Sequence, residues 1–347
     1  MEAPELIDFG RKNLGGLEPE EEEKSGAHTL PFARAPEIAN TVLDRSERSI
    51  PTLIYRKYFR GRLVEYRRGV YLYTPPEGDG APSVFDVPRS GREYPLGFHS
   101  TAPFNDVHFL VSQYVEEIWA GAPRSGSGLL YATFVNNWID ANRGERDIDP
   151  ALLLGPWPEP LDPTDKSNRL GMGLIHSKAR GHALYPDKLS VAEVKHRIEH
   201  YWRPYHTRLA ELIEERRQKF GVAFHLSCHC MGTIGPVTAH DHGLRRKDFC
   251  LSDRDGTTSS REFMEAIAEA MRKRGYSVTF NDPFKGAESI RLHGKPGSGV
   301  HSVQIEVIKE LFMDEESFQK KPDFDKVQED LGGVAADIAA YARSQAR

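Results

Sequence analysis

Apolar positions recur with a period of two over short stretches and at helical spacing over longer ones. Such a chain mixes strands and helices. Apolar runs at 52–58 and 69–73 predict two short strands, separated by the highly charged stretch 60–68. Residues 75–82 read as a Pro/Gly loop and 83–87 as a buried strand. That strand runs into Pro88-Arg89-Ser90-Gly91, a turn at a carboxyl strand end, where α/β sheets bind ligands. Val107, Leu110, Val111, Tyr114 and Ile118 predict an amphipathic helix over 106–120, capped by Asp106. A strand follows at 129–135. Residues 144–187, rich in Pro and Gly, predict a long irregular excursion of the kind that can serve as a lid. Ser190 with Glu193 fits a capping box opening a helix that continues to about 220. Strands are expected at 222–228, 277–280 and 303–308. Helices are expected from 259 or 260 to 274, stopped by Gly275, and at 324–343.

Strands alternating with helices predict an α/β fold with a mixed, mostly parallel central sheet and helices on both faces. No internal repeat is visible. Residues 1–48 are polar and broken, almost all acidic over 18–23, and read as an N-terminal arm. The remaining 49–347 form a single expected domain. A formal net charge of −5 gives no basic surface for nucleic acid. No apolar run approaches the about 18 residues needed to span a bilayer, and the N-terminus has no signal-like pattern. Cys228, Cys230 and Cys250 make no disulfide framework. These features predict a soluble cytoplasmic protein with a small-molecule ligand.

The chemistry-bearing residues gather at strand ends. Alternation puts His225, Ser227 and His229 on one face, with His229 at the end of its strand. Glu306 is flanked by apolar residues, and its desolvation would raise the carboxyl pKa toward the range of a general base. Arg143 follows an Asp-Ala-Asn turn. It is placed either to grip a substrate carboxylate or to pair with Asp140 or Asp147. Asp106 and His108 could share a metal only if Asp106 precedes the first helical turn. His240-Asp241-His242 reads as a surface loop. Cys230 could be a nucleophile paired with His229, although adjacent residues rarely face each other.

Six motifs in order carry a family resemblance. Pro88-Arg89-Ser90-Gly91-Arg92-Glu93-Tyr94-Pro95 resembles PHSGRxYP, and Ile139-Asp140-Ala141-Asn142-Arg143 resembles VDLNR. Tyr201-Trp202-Arg203-Pro204-Tyr205-His206 resembles YxPYH, and His229-Cys230-Met231 stands for HSM. Asn281-Asp282-Pro283-Phe284-Lys285-Gly286 resembles NxPYxGG, and Gln304-Ile305-Glu306-Val307 resembles QIEI. Over about 83–320 the chain thus resembles the N-formylglutamate amidohydrolase (deformylase) family. The resemblance implies a phosphorylase/hydrolase-like, zinc-carboxypeptidase-like domain that hydrolyses a C–N amide bond in a small carboxylated N-acyl amino acid. It implies His229 as a zinc ligand and Glu306 as the base acting on metal-bound water. Asn142 and Arg143 would hold the substrate carboxylate, and Asp106 would be the acidic ligand.

The departures fall on that same site. Arg89 stands where the family has its first ligand histidine, Cys230 where it has serine, and Ser227 where it has aspartate. The arginine expected ahead of VDLNR is Asn136 or Asn137. A guanidinium has no lone pair for a metal. A zinc site would then have to be rebuilt on His229 and Asp106 with His108, or else His99 or Cys230, as the substitute ligand, and with Arg89 joining Asn142 and Arg143 against the substrate. The alternative is a metal-free relative that binds a small carboxylated ligand or a protein partner, with Arg89 paired to Glu306.

Overall fold

A computed structural model of the chain describes residues 54–59 and 62–347, with side chains from residue 64 onward. The arm expected at 1–48 lies outside the described residues. A nine-stranded mixed sheet forms the centre of the fold. Its strands are β1 Ile54–Phe59, β2 Arg62–Arg67, β3 Tyr71–Thr74, β4 Ser83–Val87, β5 Gly128–Ala132, β6 Ala223–Met231, β7 Phe249–Ser252, β8 Val278–Phe280 and β9 Val300–Ile308. The spatial order is β1-β2-β3-β5-β4-β6-β9-β7-β8. The parallel pairings β5-β4, β4-β6 and β6-β9 lie together in the middle. Antiparallel hairpins extend one side, and β7 pairs antiparallel with β9 on the other.

The central strands carry two different faces. Phe85, Val87, Leu226, Cys228, Val303, Ile305 and Val307 point into an apolar core. There they meet helices Arg261–Arg272 and Phe324–Ser344 through Phe263, Ile267, Leu331 and Val334. A second core on the opposite side holds Tyr205, Leu209 and Leu212 of helix Arg203–Phe220. Helices therefore cover both faces, as the alternating pattern predicts. The residues between the apolar ones in β4, β6 and β9 are Asp86, His225, Ser227, His229, Ser302, Gln304 and Glu306, all buried. Register sets His225 beside Ser302, Ser227 beside Gln304 and His229 beside Glu306. A row of polar residues inside a parallel sheet has to be hydrogen-bonded within the protein, and these residues build the site described below.

The structure corrects several expectations. The charged stretch 60–68 contains strand β2, with Val64 and Tyr66 buried and Glu65 and Arg67 partly exposed; its charges occupy the solvent side of the alternation. The helix expected over 106–120 is two short ones, Phe104–Phe109 and Val115–Ile118. Tyr114 between them has φ 64°, a left-handed conformation that breaks a helix. Tertiary contacts hold it there: its hydroxyl donates to the Phe318 carbonyl at 2.9 Å, and Arg92 lies over its ring. Asp106 is no cap, because Pro103 occupies that position. Strand β6 runs to Met231, so His229 lies within the ladder, not beyond it. The excursion 144–187 contains helix Asp165–Leu170, capped by Thr164, and a short strand pair, and its Leu153–Leu154 pairs with Leu189–Ser190 just beyond it. Strand β7 and helix Glu288–His293 were not expected from the pattern.

One glycine fixes the turn that follows β4. A Cβ on Gly91 would lie 2.1 Å from the Phe134 carbonyl oxygen and 2.5 Å from that of Thr133. Both obstacles are backbone, and Glu93 N–H is bonded to the Thr133 carbonyl at 2.9 Å. Gly91→Ala is expected to cost about 2–3 kcal/mol in a urea titration, at the upper end for overpacking. Gly97→Ala, whose Cβ would meet only Trp138 at 3.6 Å, is the matched control and should change little.

Candidate active site

Two backbone N–H groups set the geometry of the site. Ser289 N–H donates to Asn142 Oδ1 at 2.9 Å, and Ala287 N–H donates to Gln304 Oε1 at 3.0 Å. A backbone N–H can only donate, so both side-chain amides have one possible orientation. Asn142 Nδ2 therefore donates to Gln304 Oε1 at 3.3 Å and to His229 Nε2 at 3.2 Å. Gln304 Nε2 in turn donates to Glu306 Oε1 at 2.9 Å. Burial raises the Glu306 carboxyl to about 7, against the opposing charges of Arg89 and Lys166. A carboxylate with that pKa takes and returns protons near neutrality.

The same directions settle the state of His229. Its Nε2 accepts from Asn142, so the neutral ring carries its proton on Nδ1. Burial and the charge of Arg89 push its pKa down to about 3, which keeps the ring neutral. Nδ1 is buried and has no hydrogen-bond partner within the protein. Ser227 Oγ also lies 3.1 Å from Nε2.

Arg89 pairs with Asp140, not with Glu306. Its Nε lies 3.4 Å from Asp140 Oδ2. Asp140 is fully buried and accepts from His176 Nε2 at 3.1 Å and from Asn142 N–H at 2.9 Å. Burial opposes its charge, but Arg89, the His176 hydrogen bond and Arg143 outweigh this and hold its pKa well below the carboxylate range. Arg89 is the largest single charge acting on Glu306, on Asp140 and on His229.

Arg143 is buried and donates from Nε to the Met172 carbonyl at 2.8 Å and from Nη1 to the Asn142 carbonyl at 3.0 Å. It is held by backbone in place of the direct aspartate pair considered from sequence. The turn that carries it is pinned from above. Trp202 Nε1 donates to the Arg143 carbonyl at 2.9 Å, and His206 Nε2 donates to that of Ala141 at 2.7 Å. Beneath, the Asp86 carboxylate accepts from His225, Tyr205 and Ser289, so it fixes the helix whose Ser289 N–H aims Asn142. Trp202, Tyr205, His206 and Asp86 are thus positioning residues.

Lys166 and Arg246 add positive charge on the Glu306 side. Both pack on the ring of Phe284, at 5.6 and 5.1 Å. Burial together with Arg143 and Arg89 lowers Lys166 to about 8. Arg246 is tied to both carboxylate oxygens of Asp241. Neither cation was identifiable from sequence, because Lys166 sits in the short helix Asp165–Leu170 and Arg246 in a connecting segment, and neither has a local motif.

Asp106 and His108 do not join His229. Asp106 pairs with His182 at 2.9 Å and with Arg180 at 3.7 Å near the surface. His108 is buried among aromatic rings, beside the Tyr94 hydroxyl and stacked on Phe104. Burial, Arg92 and Lys309 lower it to about 4. Two residues apart on one helix, the two side chains diverge as geometry requires. Cys230 lies on the opposite face of β6 from His229, and burial raises its thiol to about 11, which leaves it a poor nucleophile. His240 and Asp241 lie on the expected loop, with His240 bonded to Asp282.

The residues present do not fit a zinc centre. Among the described residues no group of three or more His, Cys, Asp and Glu side chains is arranged to hold a metal ion. The lone pair of His229 is spent on Asn142, and its other nitrogen carries a proton. Arg89 puts a permanent cation against the ionised carboxylate of Asp140 in this turn.

Residues 81–313 match the family model described as N-formylglutamate amidohydrolase. An N-formylglutamate deformylase of Pseudomonas putida is 31% identical over 210 residues, which cover 58% of this chain and 70% of that protein. The crystal structure of N-formylglutamate amidohydrolase from Ralstonia eutropha JMP134 superimposes with a TM-score of 0.74 at 38% identity, covering 80% of this chain and 99% of that one. The gene product Atu2144 from Agrobacterium tumefaciens shares the fold, with a TM-score of 0.54 at 18% identity over 76% of this chain and 91% of its own. Among the described residues no helix is long and apolar enough to cross a membrane.

Proposed function

This chain belongs to the N-formylglutamate amidohydrolase family, and we propose that it hydrolyses the C–N amide bond of a small, carboxylated N-acyl amino acid of the formyl type. The observation that carries this reading is Glu306, a buried carboxylate raised to about 7 and fixed by Gln304 at the end of a chain of oriented amides. The named relatives are deformylases and amidohydrolases of N-formylglutamate, which supports this substrate class.

In this reading Arg143 and Arg89 face the anionic substrate, and Lys166 and Arg246 supply further positive potential. Asn142, expected to share that task, has both amide hydrogens committed to His229 and Gln304 and orients them instead. Glu306 takes a proton from a water molecule as its oxygen attacks the acyl carbon. The proton then passes to the amide nitrogen as the C–N bond breaks, giving a carboxylic acid and a free amine. Full-length protein mixed with N-formyl-, N-formimino- and N-acetyl-L-glutamate tests this. Release of free glutamate, fastest from the formyl compound, is the expected result.

A second reading is favoured by the Arg89–Asp140 pair, which sets a fixed charge at the sequence position where the family has its first ligand histidine. In it the protein binds a small carboxylated ligand without turnover. Calorimetric binding of N-formyl-L-glutamate with no glutamate released would select this second reading.

A further inference from the structure

We propose that the site works without a metal, the Arg89 guanidinium and the His229 Nδ1–H together receiving the oxygen of the acyl carbonyl. This rests on the hydrolytic reading above and adds the electrophile that reading lacks. Three observations carry it. Arg89 is held by the fully buried Asp140, and its side chain keeps 16% of its surface exposed. It is therefore anchored on one side and accessible on the other. His229 is 1% exposed, and its Nδ1 has no partner inside the protein. A buried donor left over after every internal bond is assigned is free to take an acceptor from a ligand or water. The hydrogen-bond chain Ser289–Asn142–His229 fixes that nitrogen as a donor, so it can serve an oxyanion and cannot serve a cation.

The step balances without a cofactor. The water oxygen forms a bond to the acyl carbon while its proton moves to Glu306. The carbonyl π electrons move onto the carbonyl oxygen, whose negative charge faces Arg89 and His229 Nδ1–H. Collapse re-forms the C=O bond and expels the nitrogen, which takes the proton back from Glu306. A preformed cation and a preformed N–H do this with little reorganisation. The arrangement also accounts for arginine at the first-histidine position: it supplies fixed positive charge where a dication would otherwise be needed, and Asp140 keeps it in place.

The test uses the full chain with N-formyl-L-glutamate as probe, and elemental analysis alongside kinetics. Wild-type protein is expected to carry far less than one metal ion per chain and to keep its turnover after dialysis against a chelator. Arg89→Ala should lower kcat by about 10²–10³ with a much smaller change in KM. Added guanidinium chloride at low concentration should restore part of that loss, which a purely structural role for Arg89 would not allow. Arg89→Lys, which keeps a charge against Asp140, guards against misfolding and should fall between the two. His229→Ala should also lower kcat, and His229→Asn, which restores an N–H donor, should recover part of it. Turnover lost to chelator and restored by zinc would overturn the proposal while leaving amide hydrolysis intact. Full kcat in Arg89→Ala would overturn it too. No turnover under any condition, with zinc or without, would remove both the hydrolytic reading and this one.

Discussion

Glu306→Gln is expected to abolish hydrolysis of N-formyl-L-glutamate while making the protein more stable at alkaline pH. The kinetic loss should be about 10³–10⁴ in kcat, the upper range for removing a positioned base. Glutamine keeps the shape and can still accept from Gln304 Nε2, so the loss reports the proton and not the packing. In the wild type only the ionised carboxylate can take a proton from water, so kcat/KM should rise with pH and level off above about 7. Stability runs the other way. Burial raises the folded pKa from 4.5 to about 7, so the folded state holds a proton that the unfolded chain releases between those values. The contribution of Glu306 to stability is therefore fully present below about 4.5 and is lost as pH rises through about 7. The loss amounts to about 3 kcal/mol at alkaline pH. Thermal unfolding should show Glu306→Gln above wild type at pH 8, with the gap closing toward pH 5. A variant that lost activity without gaining alkaline stability would mean that Glu306 is not the desolvated carboxylate described here.

That carboxylate was legible in the sequence, since Val303, Ile305, Val307 and Ile308 around Glu306 announce a buried strand. So was the shared face of His225, Ser227 and His229, because alternation in a strand is a local rule. The mixed sheet with helices on both faces was equally visible in the alternation of strand and helix patterns. What was not legible depends on pairing across the chain. Arg89, expected against the substrate or, in the metal-free alternative, paired to Glu306, meets Asp140, 51 positions away, because the 140–143 turn is drawn over the strand ends by Trp202 and His206. Lys166 reaches the site from a short helix inside the 144–187 excursion and Arg246 from the segment ahead of β7, and no periodicity encodes either path. Asp106 and His108 were grouped by nearness in sequence, and the helix turned one toward His182 and the other into aromatic rings. The break at Tyr114 came from Arg92 and Phe318, contacts no helical pattern can foresee.

The second large effect should come from Asp140, the residue on which that cross-chain pairing turns. Asp140→Ala leaves Arg89 without its carboxylate, the buried His176 Nε2–H without an acceptor and the Asn142 N–H unbonded. Arg143, also buried, loses its main compensating charge. Breaking one side of a buried ion pair costs about 3–5 kcal/mol, since the remaining charge stays desolvated. The unfolding free energy from a urea titration should fall by that amount at pH 7. Because the carboxyl is held well below the usual range, its stabilisation is fully present above the unfolded pKa of about 4 and fades only as pH falls through the lower folded value. The difference between Asp140→Ala and wild type should therefore persist at pH 5. Arg89→Ala should destabilise less, because Asp140 keeps His176 and the Asn142 N–H as donors. In the double variant Arg89→Ala, Asp140→Ala the cost should be smaller than the sum of the two single changes, since no guanidinium is left stranded. Strict additivity would mean that Arg89 and Asp140 do not act as a pair. The fixed cation would then have no anchor, and the reason for an arginine at this strand end would have to be sought elsewhere.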